Sequence, residues 1–190
     1  MTSVVSTPSS SGTTDVKHNE ALPEDKFAAN VDALFELITE IITDLYDRGH
    51  NVVDPKIVSI AGIALKAFSR TGLIETFISL SHKHWSLIQK RDRKYFVEHA
   101  GQIFAGIKLD KIEAFSNLFR ENEDGTILIG KEDEDLIGDY FFTLVRISIS
   151  YIHRRRGPYI QDKKPAYKVK YEENIDLEKE AKLWNVKLEF

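Results

Sequence analysis

The longest apolar run of the chain lies between Glu134 and Arg156, with the sequence EDLIGDYFFTLVRISISYIHRRR. Its apolar residues recur at spacings of three and four, which is typical of an α-helix, and further apolar residues fill much of the other side. A helix that is apolar nearly all round is a buried one, so this run predicts a central core helix. The residues at helical spacing are Leu136, Tyr140, Phe141, Leu144, Val145, Ile149 and Ile152.

The charges at the two ends favour the helix over a strand. Acidic residues 133–135 fall in the first turn and basic residues 153–156 in the last, where the helix dipole favours anions and cations respectively. Residues 145–151 alternate with period two and are rich in β-branched side chains, so a strand is the competing interpretation. Gly157 and Pro158 then provide a helix stop, and we predict a helix of about 22 residues, roughly 33 Å long.

Two amphipathic stretches predict helices near the start of the chain. From Asn30 to Arg48 the apolar residues form one stripe, with Asn30 as the N-cap and Gly49 as the stop. Asp54 and Pro55 read as the N-cap and first residue of a second helix. Its predicted inward face consists of Ile57, Ile60, Ala61, Ala64, Leu65 and Phe68.

Further helices follow along the chain. The second helix is expected to run to about residue 70, with Thr71-Gly72 as the break before a third helix at residues 73–80. The next, more basic stretch contains three apolar residues, Trp85, Leu87 and Ile88. Further along the chain, nine apolar positions predict the buried faces of two more helices. Those positions are Phe96, Ala100, Ile103, Phe104, Ile107, Ile112, Phe115, Leu118 and Phe119. Residues 126–129 predict a short strand or an apolar plug.

These elements predict an all-α fold, with a globular core of about six or seven helices around the buried central helix. The core spans residues 26–157. Residues 1–25 are rich in Ser, Thr, Asn, Gly and Pro, which indicates an N-terminal arm that is disordered or ordered by a partner. Residues 158–190 predict an extended C-terminal arm that contains a short helix at 176–184.

Composition narrows the class of protein. The chain has 190 residues, of which 42% are hydrophobic, and a formal net charge of −4, so no overall field attracts nucleic acid. The absence of cysteine excludes disulfide scaffolds, thiol catalysis and Cys-ligated metals. No signal peptide or membrane span is recognised. We therefore expect a protein of the cytosol, the nucleus or an assembly, and not a secreted one.

Candidate chemistry is sparse. His82, His84 and His99 are the residues considered as metal ligands, but the spacing of the first two points them in different directions on a helix, and a solvated or capping role is favoured. No nucleotide-binding, hydrolase or kinase motif is present. The sequence predicts a non-enzymatic protein with no metal and no cofactor.

A basic stretch follows the central helix. Between His153 and Lys170 the lysines and arginines outnumber the single acidic residue, Asp162, and tyrosines lie among them. This stretch can grip phosphates or stack bases, or it can pair with an acidic protein neighbour. Together with two aromatic residues near the end of the chain, it supplies the candidate partner- or phosphate-binding residues. They are Arg154, Arg155, Arg156, Tyr159, Lys163, Lys164, Tyr167, Lys168, Lys170, Trp184 and Phe190.

Residues 32–158 resemble small uncharacterised helical proteins of large nucleocytoplasmic DNA viruses. The resemblance is carried by DALFELITEII, VVDPKIV, LIETFISLSHKHW, KRDRKYF and LVRISISYIHRRRGP. It implies a minor capsid or virion-associated protein, located in the virion or the host cytoplasm, with capsid proteins as partners. It brings no catalytic residue.

Three functional hypotheses follow. The first is a structural or interaction protein whose terminal arms dock neighbouring subunits, so that deleting residues 1–25 or 159–190 leaves the core folded and abolishes incorporation. The second is a nucleic-acid-associated protein that uses the basic stretch at residues 153–170. The third is a helical regulator that binds a partner peptide in a groove, which requires an exposed apolar patch.

Overall fold

A computed structural model describes most of the predicted core. The described residues are 21–50, 52, 54–95, 98–99, 116–119, 121, 125–156 and 175–188, without the side chains of residues 57, 61, 64, 65 and 156. This part of the chain is all-α and contains no strand, apart from an isolated bridge between Glu121 and Ile127. None of its helices combines the length and apolarity that crossing a membrane requires.

The helices occur in the following order along the chain. They are α1 (Pro23–Asp47), α2 (Pro55–Lys66), α3 (Arg70–Ser81), a 3-10 turn (His82–His84), α4 (Trp85–Gln89), α5 (Lys131–Arg156) and α6 (Leu177–Leu183). Further helical residues lie at 93–95, 98–99 and 116–118. The longest helix, α5, packs along α1 and also contacts α3, α4 and α6, so it forms the centre of the core.

The prediction of a central helix is confirmed by α5, and the strand alternative for residues 145–151 is wrong. Ile137, Phe141, Leu144 and Ile149 are almost completely buried. The alternating residues 145–151 lie within the same helix and form no strand. The predicted inward position Leu136 is instead substantially exposed, and Ile137 takes its place. Ile137 lies four residues before Phe141 and therefore on the same buried side of the helix, whereas Leu136 falls outside that side.

Helix α1 begins seven residues before the predicted start. Pro23 occupies its first position, and Asn30 lies inside the helix, where its Nδ2 donates to the Lys26 carbonyl oxygen at 2.8 Å. The predicted cap at Asn30 is therefore wrong, and the helix enters the proposed N-terminal arm. The predicted stop is confirmed, because Gly49 adopts a φ of 82° and its N–H donates to the Tyr46 carbonyl at 2.9 Å.

The junctions around α2 are partly as predicted. Asp54 caps α2, since its Oδ1 accepts from the Lys56 N–H at 2.9 Å. The helix ends at Lys66, and Ser69 caps α3 by accepting from the Gly72 N–H at 3.0 Å. The predicted break at Thr71-Gly72 is therefore wrong, because both residues lie in the first turn of α3. The serine cap supplied the stronger local signal.

The segment before α5 packs as an apolar plug. Ile129 is buried and its N–H donates to the Leu118 carbonyl at 3.3 Å, while Ile127 and Leu128 pack against the core. Leu118 and Phe119 are buried as predicted. The other predicted apolar positions between 96 and 115 lie outside the described residues.

The C-terminal residues 175–188 fold back onto the core. The short helix predicted at residues 176–184 is confirmed by α6, which Asp176 caps with Oδ1 accepting from the Lys179 N–H at 3.1 Å. Ile175 and Ala181 are buried, and the Gln89 Nε2 donates to the Leu183 carbonyl at 3.1 Å. The boundary predicted at residue 158 therefore does not separate all of the C-terminal segment from the core.

Candidate functional site

The basic end of α5 is in part occupied by intramolecular contacts. Arg155 forms an ion pair with Glu75 of α3, and its guanidinium lies 5.6 Å from the centre of the Tyr151 ring. Tyr151 Oη also donates to Glu75 at 2.9 Å. Burial, followed by the bond to Glu75, raises the pKa of Tyr151 to about 12. Arg155 therefore fastens α5 to α3, whereas Arg154 is exposed.

Among the other predicted binding residues, the structure describes the backbone of Arg156 and the whole of Trp184. Arg156 ends α5, but its side chain lies outside the described part of the structure. Trp184 is buried in the core, so its predicted exposure to a partner is corrected: the side chain lies against Phe142, not on a binding surface. The remaining predicted positions are outside the described residues. These are Tyr159, Lys163, Lys164, Tyr167, Lys168, Lys170 and Phe190.

The histidines form an aromatic cluster with Tyr95. The rings of His84 and His99 stack with centroids 4.8 Å apart, and the Tyr95 ring lies within 5.4 Å of both. His82 takes a capping position, where Nδ1 donates to the Ile78 carbonyl oxygen at 3.0 Å. Among the described residues, no group of three or more His, Cys, Asp or Glu side chains is arranged to hold a metal ion.

Burial, with the nearby His99, His82 and Lys83, lowers the pKa of His84 below its usual value of 6.5. The unfolded chain therefore binds a proton at a higher pH than the folded chain does. The contribution of His84 to the free energy of unfolding is complete above pH 6.5 and decreases as the pH falls below it. We expect His84→Gln to reduce the loss of stability between neutral and mildly acidic pH, measured by urea denaturation.

The matched control for that measurement is Ser86→Ala, since Ser86 is exposed, lies two residues from His84 and carries no titratable group. It should leave the pH dependence of the wild-type chain unchanged. An identical pH dependence in the wild type and in His84→Gln would contradict the proposed cause.

A groove of about 340 Å³ runs between α1 and α2. Its apolar side chains are Phe35, Val58 and Ile63, and Gly62 lies against Phe35, where an added Cβ would be in ordinary van der Waals contact with the ring at 3.7 Å. We call this surface the α1–α2 groove. Its lining residues are Asp32, Phe35, Glu36, Thr39, Glu40, Val58, Ser59, Gly62, Ile63 and Lys66.

An exposed apolar patch adjoins the groove. Ile60 is 55% exposed, Ile63 is 69% exposed, and Phe68 in the following turn is 42% exposed. We call these three residues the α2 patch. The predicted inward face is therefore wrong at Ile60 and Phe68, and Val58 is buried instead.

The sequence contained only an ambiguous signal for this patch. Residues 57–65 are apolar on several sides of the helix, so a period of 3.6 does not select the buried side. The excess of apolar residues over what one neighbouring helix can cover was the available hint.

No protein-family model, curated protein or solved structure matches this chain. The resemblance to viral helical proteins and the virion location therefore stay predictions.

Proposed function

We propose that this chain is a non-enzymatic interaction protein that docks another protein subunit through the α2 patch. The observation that carries the proposal is the exposure of Ile60, Ile63 and Phe68 on one stretch of the core. Residues three apart on a helix are surface neighbours, so Ile60 and Ile63 form continuous apolar surface. Clustered apolar surface beside polar residues is typical of protein-binding sites.

The adjoining groove supports the same role. It places Phe35 and Val58 at the base of a concave surface next to Ile63. A concave apolar surface admits a side chain of a partner and shields it from water, which is the main source of binding energy in such contacts. Together, the groove and the patch supply the exposed apolar surface that binding of a partner peptide in a groove, the third hypothesis from the sequence, requires.

The partners that we propose are protein subunits of a larger assembly, with the terminal arms as additional contacts. A virion as that assembly, and capsid proteins as those subunits, rest on the resemblance of residues 32–158 alone. The nucleic-acid alternative is weakened by the ion pair between Arg155 and Glu75, which engages one of its proposed phosphate ligands.

The proposal predicts that Ile63→Asp removes the chain from its assembly. We expect the full-length wild type to elute from native extracts at a mass well above its own 21.8 kDa. For the variant, the amount of chain in that high-mass fraction should be at least about tenfold lower, because an aspartate in the patch must be desolvated on docking. The measurement is size-exclusion chromatography with detection of the chain.

Leu136→Asp is the matched control, since Leu136 is an exposed aliphatic residue on α5 and does not line the α1–α2 groove. It should leave the high-mass fraction unchanged, and circular dichroism should show both variants folded. Retention of Ile63→Asp in the high-mass fraction, or elution of the wild type as a monomer only, would refute docking through the patch.

A further inference from the structure

We propose that the α1–α2 groove binds a cationic amphipathic helix of the partner protein. This inference rests on the proposed function, because it names the chemistry of the segment that docks beside the α2 patch. The bound helix would insert an aliphatic side chain between α1 and α2 and place lysines or arginines opposite the acidic residues of α1.

The acidic side of the groove forms a regular row. Asp32, Glu36 and Glu40 are spaced four residues apart on α1, so they share one side of the helix and repeat about every 6 Å along its axis. Glu36 and Glu40 are exposed and form no ion pair with the described part of the chain. Two carboxylates are thus available to a cation from outside.

The opposite wall contributes little compensating charge. Lys66 is the only basic residue among the groove lining, and its Nζ lies 3.9 Å from an Asp32 carboxylate oxygen. Three carboxylates therefore face one ammonium group around an apolar floor. This distribution favours a positively charged ligand, since complementary charge steers association and selects partners.

A helix matches the repeat of the acidic row. Lysines or arginines four residues apart on a partner helix also repeat about every 6 Å, so successive cations can meet Glu36 and Glu40 when the two helices lie side by side. The apolar face of the same helix then lies over Phe35, Val58 and Ile63. Laying an amphipathic helix into an apolar groove is a recurring mode of recognition.

Other occupants fit the charges less well. The phosphates of nucleic acids and of anionic lipids would be repelled by the three carboxylates. A symmetric pair of copies would bring the same patch of each copy together and so place one acidic row against the other. A cationic protein segment satisfies both the acidic row and the apolar floor.

The test uses two synthetic amphipathic helices with the same leucine face, one carrying lysines at its polar positions and the other glutamates. Binding to the full-length chain is measured by fluorescence anisotropy at low and high salt. We expect the lysine peptide to bind the wild type, and the affinity to decrease as salt screens the exposed charges. The glutamate peptide should bind at least about tenfold more weakly, because its charges repel the acidic row.

Charge reversal at the acidic row provides the decisive comparison. The double variant Glu36→Lys with Glu40→Lys should bind the lysine peptide at least about tenfold more weakly than the wild type does. It should bind the glutamate peptide more tightly, because the sign of both electrostatic interactions changes. A double variant at two exposed acidic residues outside the groove, Asp47→Lys with Glu178→Lys, is the control. It should leave the preference for the lysine peptide intact.

The outcomes separate this inference from the proposed function. If Ile63→Asp weakens both peptides and charge reversal changes neither, the inference is overturned while docking through the α2 patch stands. Failure of the lysine peptide to bind at low salt also overturns the inference. So does a wild-type dimer that dissociates in the Ile63→Asp variant, detected by sedimentation. Loss of the high-mass assembly in Ile63→Asp remains the independent test of the proposed function.

Discussion

Replacing Trp184 with alanine is expected to lower the free energy of unfolding by about 3–5 kcal/mol, the range measured for large aromatic residues removed from a core. Trp184 is 1% exposed, and its ring lies against Phe142 of α5 with centroids 4.8 Å apart. Its Nε1 donates to Glu180 at 3.2 Å. Alanine loses the aromatic contact and leaves a cavity, which the rigid neighbouring helix fills only in part.

The measurement is urea or thermal denaturation of full-length variants. Leu183→Ala is the matched control, since Leu183 precedes Trp184 at the end of α6 and is exposed. It should change the free energy of unfolding by less than about 1 kcal/mol. Equal effects of the two substitutions would show that α6 does not pack on α5 in solution.

The burial of Trp184 also changes the expectation for truncation. Deleting residues 159–190 removes Ile175, Ala181 and Trp184 from the core together. We therefore expect this truncation to destabilise the core, contrary to the prediction that the C-terminal arm can be deleted without unfolding it. Loss of incorporation in such a variant would not by itself identify a docking arm.

Replacing Phe27 with alanine is the second substitution with a large expected effect, again about 3–5 kcal/mol. Phe27 lies in the second turn of α1, is almost completely buried, and its ring centroid is 5.3 Å from that of Phe77 on α3. The two rings are tilted by 58° to each other, an arrangement that aromatic pairs favour. The substitution should loosen the contact between the N-terminal part of α1 and the middle of α3.

Tyr46→Ala is the control on the same helix, because Tyr46 is about half exposed near its C-terminal end. A change of less than about 1 kcal/mol is expected there. If Phe27→Ala changes the free energy of unfolding by no more than Tyr46→Ala does, this would contradict the placement of residues 23–29 in the core helix. It would favour the later helix start predicted from the sequence.

Much of the helical framework could be predicted from residues a few positions apart. The cap at Asp54 and the stop at Gly49 are in place, because each depends on hydrogen bonds within one turn. The amphipathic stripe of α1 likewise selects its buried side. The early start of α1 was missed, since residues 23–29 contribute one large apolar residue, Phe27, and too little periodicity for a separate signal.

The candidate site was less accessible to the same reasoning. Residues 154–156 were predicted as candidates for binding phosphate, yet Arg155 forms an ion pair with Glu75, which is eighty residues away in the chain. Spacing within a basic run contains no information about a distant carboxylate. Asp32, Glu36 and Glu40 repeat every four residues in the sequence, but only the tertiary structure places them beside an apolar groove, because α2 forms its other wall.

The local pattern of the chain is therefore sufficient to predict an all-α protein built around a helix at residues 134–156, because dipole charge and periodicity act within a few turns. The structure begins that helix three residues earlier, at Lys131. The exposure of Ile60, Ile63 and Phe68 and the burial of Trp184 were decided at the tertiary level. Because α2 is apolar on several sides, its sequence pattern does not decide which side is buried. That depends on which other elements pack against it. The packing of α6 on α5 covers Trp184, whereas the packing of α2 on α1 leaves Ile60 and Ile63 exposed.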